Sequence, residues 1–239
     1  MQNAPRYGLA HVDVPPVDFR EVRERIRSVI TTIQQHDSAE RFCGLGAQVE
    51  FGDARFVDEH SISLNGKTLS ARYWVIATGS SPSSAPIPGL DETEYMTNRE
   101  IFYMDRLPRA MIVIGGGPIG IEMAQAFNRL GTDVHVIQRG GEILNKEDKD
   151  MADEVMRRMA MEGVRFHLKA STRNVRDLGE EKEVVVESNG EEKTLRAQAL
   201  LVALGREANL SGLGLEDIGV EFDARGLKLD ERLRTTAHR

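Results

Sequence analysis

Three glycines carry the strongest chemical signal in the sequence. Gly115, Gly117 and Gly120 form a G-x-G-x-x-G pattern that follows the apolar run "MIVI" and opens the stretch "IGIEMAQAFNRLG". Glycines at these places allow a tight strand-to-helix turn, close approach of a pyrophosphate to the backbone, and tight packing of the helix on the strand. The N-terminus of such a helix offers N–H groups to phosphate oxygens. The pattern therefore predicts a dinucleotide pocket.

The end of the next predicted strand, "DVHVI", bears on which dinucleotide binds. Proteins that bind NAD usually place a carboxylate there, about 20 residues after the glycines, to accept both ribose hydroxyls. This chain has Gln138 followed by Arg139. A neutral amide does not repel a 2′-phosphate, and a guanidinium can bind one through a charge-assisted hydrogen bond. The pair favours NADP over NAD, with two alternatives: that Arg139 points only to solvent, and that nearby Glu142 weakens the phosphate contact.

Other chemistries have little support. The six histidines show no paired metal-ligand spacing, so no metal site is predicted, and no G-x-S-x-G motif occurs. His135 alternates with valines on a predicted strand and is interpreted as a packed or wet position. The single cysteine, Cys43, lies at a predicted helix exit, where a quiet small side chain is favoured over a nucleophile.

Composition narrows the class of protein further. The 239 residues suit one large or two medium domains. The net charge of −7, with both signs interspersed, leaves no broad cationic face for nucleic acid. No apolar run approaches the ~20 residues of a membrane span. One cysteine forms no internal disulfide, so the cytoplasm is the expected compartment.

Periodicity indicates the elements that hold these residues. Residues 18–36 predict an amphipathic helix docked by its apolar side, which consists of Phe19, Val22, Ile26, Val29, Ile30 and Ile33. Short strands follow, and Asn65-Gly66 predicts a tight hairpin turn. The segment "SSPSSAPIPGLDE", residues 80–92, is interpreted as a crossing between two lobes. A second helix is predicted from Lys149 to Glu162.

An internal repeat links the two lobes. "TLSARYWVIATG" at 68–79 and "TLRAQALLVALG" at 194–205 align without gaps, and each follows an Asn-Gly turn and ends in a predicted buried strand. The two lobes therefore share one plan. At the same offset, the glycine loop of the first lobe would lie before Met1, so we expect the chain to be a fragment of a longer protein.

These residues together resemble the pyridine nucleotide-disulfide oxidoreductases, which include dihydrolipoamide dehydrogenase, glutathione reductase and mercuric reductase. The resemblance covers about Phe19 to Arg239. Within the family, the chain is most similar to the branch of mercuric reductases and dihydrolipoamide dehydrogenases. The resemblance rests on these motifs, in the family's order: "GDARFVD", "VIATGSSP", "IPGLDE", "VIGGGPIGIEMAQAFNRLG", "LLVALGREANLSGLGLEDIGVE" and "LDERLRTT".

The resemblance implies an α/β fold of two Rossmann-like dinucleotide-binding lobes. Residues 1–84 would be a partial FAD-binding domain, 85–206 a complete NAD(P)-binding domain, and 207–239 the return into the FAD domain. The residues implied near the nicotinamide nucleotide are Gly115, Gly117, Pro118, Ile119, Gly120, Glu122, Gln138, Arg139, Ala203 and Gly205. Those implied near FAD are Ala54, Ala77, Thr78 and Gly79.

The family's reaction passes hydride from NAD(P)H to flavin, and then electrons to a cysteine pair and an acceptor. Neither the redox cysteine pair nor the His-Glu acid/base pair lies within these residues, so no catalytic residue is assigned, and the acceptor and the expected homodimer depend on the longer protein. Pro118 replaces a residue that commonly flanks the nicotinamide. The alternatives are an NAD(P)H oxidase, quinone reductase or transhydrogenase of the same fold, and a non-catalytic nucleotide-binding module.

Overall fold

The chain divides into two compact units. The computed structural model describes residues 5, 8–11, 13, 15–83 and 86–237, so the predicted boundary at 84–85 lies outside the described residues. The inserted unit comprises Pro86–Ala203 together with residues up to Thr32, and the split unit comprises Ile33–Ala85 and Leu204–Arg239. The predicted domains placed residues 1–32 with the first lobe, whereas the described residues up to Thr32 group with the inserted unit. The nucleotide assigned to each domain stays a prediction.

The described residues form four α-helices and fourteen strands. The helices are α1 (Phe19–His36), α2 (Ala39–Gly44), α3 (Pro118–Leu130) and α4 (Lys149–Met161). The strands are β1 (Ala54–Asp58), β2 (Ser61–Leu64), β3 (Lys67–Ser70), β4 (Ser80–Pro82), β5 (Ala110–Ile114), β6 (Asp133–Gln138), β7 (Arg165–Leu168), β8 (Ala170–Asp177), β9 (Lys182–Ser188), β10 (Glu191–Ala197), β11 (Ala199–Val202), β12 (Arg206–Ala208), β13 (Phe222–Asp223) and β14 (Gly226–Leu227).

A four-stranded parallel sheet forms the centre of the inserted unit, in the order β11-β5-β6-β7. Successive residues of β5 face opposite sides of this sheet, and both sides are covered, so the strand is apolar throughout. Met111 and Val113 join the core beneath α3 and α4. Ile112 and Ile114 join a second core shared with the antiparallel sheet β10-β9-β8. The parallel sheet therefore lies between helices and a second sheet.

Helix α1 forms where the periodicity predicts it, but its apolar side is only half-buried. No residue of the helix is buried, and Val29 and Ile33 are 37% and 53% exposed. The Arg23 guanidinium donates to the Asp105 carboxylate at 3.0 Å. Phe19, Val22, Ile26 and Ile30 are half-buried, so the predicted docking of the apolar stripe holds only in part and leaves Val29 and Ile33 exposed.

The split unit has a much smaller core. Its core cluster consists of Phe56, Leu210, Leu215 and Val220, and Leu64 is also buried. The sheet β1-β2-β3 is antiparallel, and β4 pairs with β12. Both predicted Asn-Gly turns are present: Asn65 and Gly66 have φ of 53° and 77°, and the repeat's Asn189 and Gly190 have 54° and 81°.

The predicted buried strand at the end of the first repeat is absent. Residues 73–79 form no ladder with any described strand, and Tyr73 and Val75 are 75% and 88% exposed. The corresponding residues of the second repeat, in β11, are all buried. The prediction of burial is wrong at Tyr73 and Val75 because no described strand lies beside this segment, whereas β11 lies beside β5. Trp74 and Ile76 are half-buried and pack against the core of the split unit.

Candidate functional site

The glycine loop closes at the carboxyl end of β5. Gly115 adopts a φ of 116°, which favours glycine, and its N–H donates to the Ile137 carbonyl of β6 at 2.9 Å. The chain then enters α3 at Pro118, and Gly131 with a φ of 112° ends that helix. The loop and the N-terminus of α3 therefore lie at the edge of a parallel sheet where ligands of α/β proteins bind.

Two glycines of the motif, Gly120 and Gly117, have different surroundings. A Cβ on Gly120 would lie 2.1 Å from the Gly115 carbonyl oxygen, so the close contact of helix and strand admits no side chain. A Cβ on Gly117 would meet nothing within 4 Å, and Gly117 has an ordinary φ of −78°. Packing therefore does not require glycine at 117. The space in front of Gly117 is open to a ligand.

The first turn of α3 faces this open space. Pro118 occupies the first helical position, where a missing N–H is least costly, and it is exposed. The N–H groups of Ile119 and Gly120 belong to the helix's first turn and have no intrahelical acceptor. Glu122, one turn further on, is exposed. The geometry suits an anionic group placed against the helix N-terminus.

Gln138 joins the glycine loop to the loop that follows β6. Its Oε1 accepts the Gly116 N–H at 3.2 Å, and its Nε2 donates to the Glu142 carbonyl at 3.0 Å. A Cβ on Gly116 would lie 3.2 Å from the Gln138 side chain and from Ile143. Gly116 was not predicted to belong to the site, although its place beside the three motif glycines was the available signal.

Charged side chains surround this second loop. Arg139 is exposed and carries no hydrogen bond or ion pair to another described residue. The Glu142 carboxylate lies 4.0 Å from the Lys149 ammonium, which partly neutralises it. Lys169, which no motif predicted, donates its backbone N–H to the Gly140 carbonyl at 2.9 Å. Only strand register could have identified it, because it is distant from the motif in sequence.

Of the Ala203–Gly205 turn, Ala203 lies beside the glycine loop. The Ala203 N–H donates to the Ile114 carbonyl at 2.8 Å, immediately before Gly115. Gly205 adopts a φ of 131° and is exposed. The structure thus brings together Gly115, Gly116, Gln138 and Ala203 by direct contacts or chain adjacency.

The residues implied near FAD all belong to the split unit. Ala54 begins β1. Ala77, Thr78 and Gly79 are exposed, and Asn209 holds this turn: its side-chain amide donates to the Thr78 carbonyl, and its backbone N–H to the Gly79 carbonyl, each at 3.0 Å. Their proximity to FAD stays a prediction.

A histidine pair lies on the face of the parallel sheet opposite α3 and α4. Arg165 can only donate to His135 Nε2, at 3.0 Å, so the proton of His135 lies on Nδ1 and is donated to His167 Nε2 at 2.9 Å. Burial, together with the charges of His135, Lys193 and Arg165, lowers the pKa of His167 to about 4. Burial also lowers the pKa of His135, while Asp133 opposes the shift. Both imidazoles are therefore neutral near pH 7.

The described ranges contain no cluster of three or more histidine, cysteine, aspartate or glutamate side chains that could hold a metal ion. Among the described helices, none has the length and apolar character needed to cross a membrane. Cys43 is exposed on α2.

Comparison with known proteins gives a consistent result. Residues 12–239 match the family model described as pyridine nucleotide-disulphide oxidoreductase. A mercuric reductase of Bacillus cereus is 31% identical over all of this chain and 38% of its own length. A dihydrolipoyl dehydrogenase of Bacillus subtilis is 34% identical over 92% of this chain and 47% of its own.

Solved structures agree with these relatives. The HOCl-induced flavoprotein disulfide reductase RclA of Escherichia coli superposes with a TM-score of 0.80 at 28% identity, over 92% of this chain and 51% of that protein. The chain thus spans about half or less of the lengths of the proteins it matches.

Proposed function

The chain belongs to the pyridine nucleotide-disulphide oxidoreductases, enzymes that use FAD and NAD(P)H, and from that premise we propose that its inserted unit binds the nicotinamide nucleotide for hydride transfer to flavin in the longer protein. The family and the α/β fold class predicted from the sequence are thereby confirmed. The bound nucleotide would supply the hydride and the flavin would accept it. The acceptor beyond the flavin, whether a disulfide, a lipoyl group or a mercuric ion, belongs to the longer protein.

One observation carries the proposal: the turn after β5 is held in a fixed conformation and leaves open space in front of its backbone. Gly120 is locked against Gly115, while Gly117 has room for a ligand and ordinary backbone angles. The unpaired N–H groups of Ile119 and Gly120 would donate to the pyrophosphate. Gln138 would hold the loop around the adenosine ribose, since its amide already bridges Gly116 and Glu142.

The cofactor preference follows from charge. Gln138 offers no carboxylate to repel a 2′-phosphate, and Arg139 has no competing partner among the described residues. A guanidinium that binds a phosphate with a charge-assisted bond contributes roughly 1.5–3 kcal/mol, or about ten- to a hundredfold in affinity. We therefore expect NADPH to bind more tightly than NADH. The split unit would contribute part of the FAD site through residues 77–79 and Ala54.

A calorimetric titration of the full 239-residue chain with NADPH and with NADH tests the pocket. Gly117→Ala should weaken the binding of both nucleotides by more than about tenfold, because the added methyl group would lie between the backbone and the pyrophosphate. The melting temperature should not change, since the structure leaves space for the methyl group.

Gly44→Ala is the matched control, because Gly44 also has open space around its Cβ position but lies on α2. It should leave nucleotide binding unchanged. Equal binding by the wild-type chain and Gly117→Ala would contradict the pocket. Steady NADPH oxidation by this chain alone would contradict the proposed division of roles.

A further inference from the structure

Two positively charged residues leave the parallel sheet side by side. Strands β6 and β7 pair in parallel with Gln138 beside Leu168, so the next residues, Arg139 and Lys169, emerge together at the carboxyl edge. The Lys169 N–H donates to the Gly140 carbonyl at 2.9 Å, which fixes the two loops against each other. The register therefore places Lys169 next to the loop that begins with Arg139, although the two are far apart in sequence.

The Lys169 side chain lies along this loop. A Cβ built on Gly141 would be 3.3 Å from Lys169 Cε and 3.9 Å from its Cγ, so the aliphatic stem passes over the Gly140–Gly141 turn. Both Lys169 and Arg139 are exposed, and neither side chain is bonded to another residue in the described part of the chain. The loop's carboxylate, that of Glu142, lies near Lys149 instead.

The backbone of Lys169 is unusual for a residue with a side chain. Its φ is 50°, in the left-handed region that glycine or asparagine occupies more readily. A lysine held there carries backbone strain. Such positions concentrate at ligand sites, where the surrounding structure holds them. The conformation and the exposed, unpaired ammonium together indicate that the side chain has a use beyond packing.

The location identifies the ligand group. In a βαβ nucleotide fold, the end of the second strand faces the adenosine ribose. Here the Gln138 amide is already bonded to Gly116 and Glu142, and two unpaired cations lie immediately beyond it. The anion that reaches this place is a phosphate on the ribose 2′ oxygen. We propose that Lys169 is the second cation of a 2′-phosphate subsite, shared with Arg139, and a determinant of specificity for NADPH over NADH.

The inference rests on the proposed nucleotide pocket, and it is tested in the full 239-residue chain. Lys169→Asn removes the charge and places at φ of 50° a residue that tolerates this conformation. Calorimetry should show NADPH binding weakened by about five- to twentyfold and NADH binding changed by less than twofold. Lys169→Arg should retain most of the NADPH affinity. Arg139→Ala combined with Lys169→Asn should bring NADPH to the NADH level.

Two further measurements separate charge from structure. Adenosine 2′,5′-bisphosphate should lose affinity for Lys169→Asn while adenosine 5′-monophosphate does not, because only the former carries the 2′-phosphate. The melting temperature of Lys169→Asn should equal or exceed that of the wild-type chain, since strain is relieved. Lys193→Gln, an exposed lysine on β10, is the control and should change neither nucleotide's affinity by more than twofold.

The outcomes distinguish the two proposals. If the wild-type chain binds neither nucleotide, the pocket itself is refuted and the subsite with it. If the wild-type chain binds both nucleotides and Lys169→Asn weakens the binding of both equally, the pocket stands and the role of Lys169 is overturned. The same holds if Lys169→Asn weakens the binding of neither nucleotide. Tighter binding of NADH than of NADPH by the wild-type chain would likewise overturn the 2′-phosphate subsite alone.

Discussion

Segments 68–79 and 194–205 have nearly the same sequence plan but opposite surroundings. In the second, β11 lies beside β5, and Leu201 has no exposed surface. In the first, the matching residue, Val75, is 88% exposed, and residues 73–79 pair with no described strand. The apolar run is necessary for a buried strand, but burial itself is supplied by neighbours. The inserted unit contains these neighbours, and the described part of the split unit does not.

The sharpest test of this contrast truncates the matched positions. Leu201→Ala should lower the free energy of unfolding by about 3–4 kcal/mol, because it opens a cavity in the core that α3 and α4 cover. Val75→Ala should change it by less than about 0.5 kcal/mol, since the side chain is exposed. Urea denaturation followed by circular dichroism measures both.

Val113→Ala is the matched control for Val75→Ala. It removes the same atoms from a fully buried valine on β5. It should cost about 2 kcal/mol. A large loss from Val75→Ala would mean that the first repeat is buried in solution, and the contrast between the units would disappear.

The glycine turns offer a second, smaller contrast. Gly120→Ala should destabilise the inserted unit by about 2–3 kcal/mol, because its methyl group would overlap the Gly115 carbonyl. Gly79→Ala should cost only about 1 kcal/mol of backbone strain, since Gly79 has a φ of 70° but open space around it.

Thermal denaturation of the two variants measures this difference. Trp74 is the only tryptophan and lies in the split unit, so its fluorescence follows that unit, whereas circular dichroism also follows α3 and α4. Similar losses from both substitutions would show that the two turns are equally closed.

Lowering the pH should produce the smallest of the expected differences in stability between the two units. The pKa of His167 is lowered to about 4, below the value near 6.5 of an unfolded histidine, so the unfolded chain binds the extra proton between these pH values. The stability of the inserted unit is therefore complete above pH 6.5 and falls as the pH drops towards 4. Partial exposure of the pair limits the size of the loss.

Denaturation midpoints at pH 7 and pH 5 measure this acid sensitivity. His167→Gln should reduce the difference between them. His60→Gln, at an exposed position of the split unit, should leave it unchanged. A fluorescence midpoint for Trp74 that falls as steeply as the circular dichroism midpoint would contradict a local origin in the histidine pair.

Local patterns were sufficient to predict the parts of the fold that depend on local chemistry. The glycine loop, α1, α4 and both Asn-Gly turns lie where sequence spacing indicates, because periodicity and turn geometry are encoded in neighbouring residues. The burial of α1 is only partial, and the burial of Tyr73 and Val75 was predicted incorrectly, because burial depends on surfaces distant in sequence.

The same limit applies to the candidate site. Gly115, Gly117 and Gln138 were identified from a motif within one βαβ unit. Lys169 and the hydrogen bond between His135 and His167 arise from the parallel register of β6 and β7, which no short motif specifies. Strand register was the missing information in both cases.

The interruption of the split unit by the inserted unit has a consequence for how the protein folds. The Arg206 side chain bonds to Ser80, 126 residues away in sequence, and closing a flexible loop of that length costs roughly 4 kcal/mol of chain entropy. In the folded inserted unit, the Val202 N–H donates to the Met96 carbonyl at 2.8 Å. The free loop then shrinks to roughly 20 residues, which reduces this cost by somewhat less than 2 kcal/mol. We expect the inserted unit to fold first, and β4 and β12 to find each other afterwards.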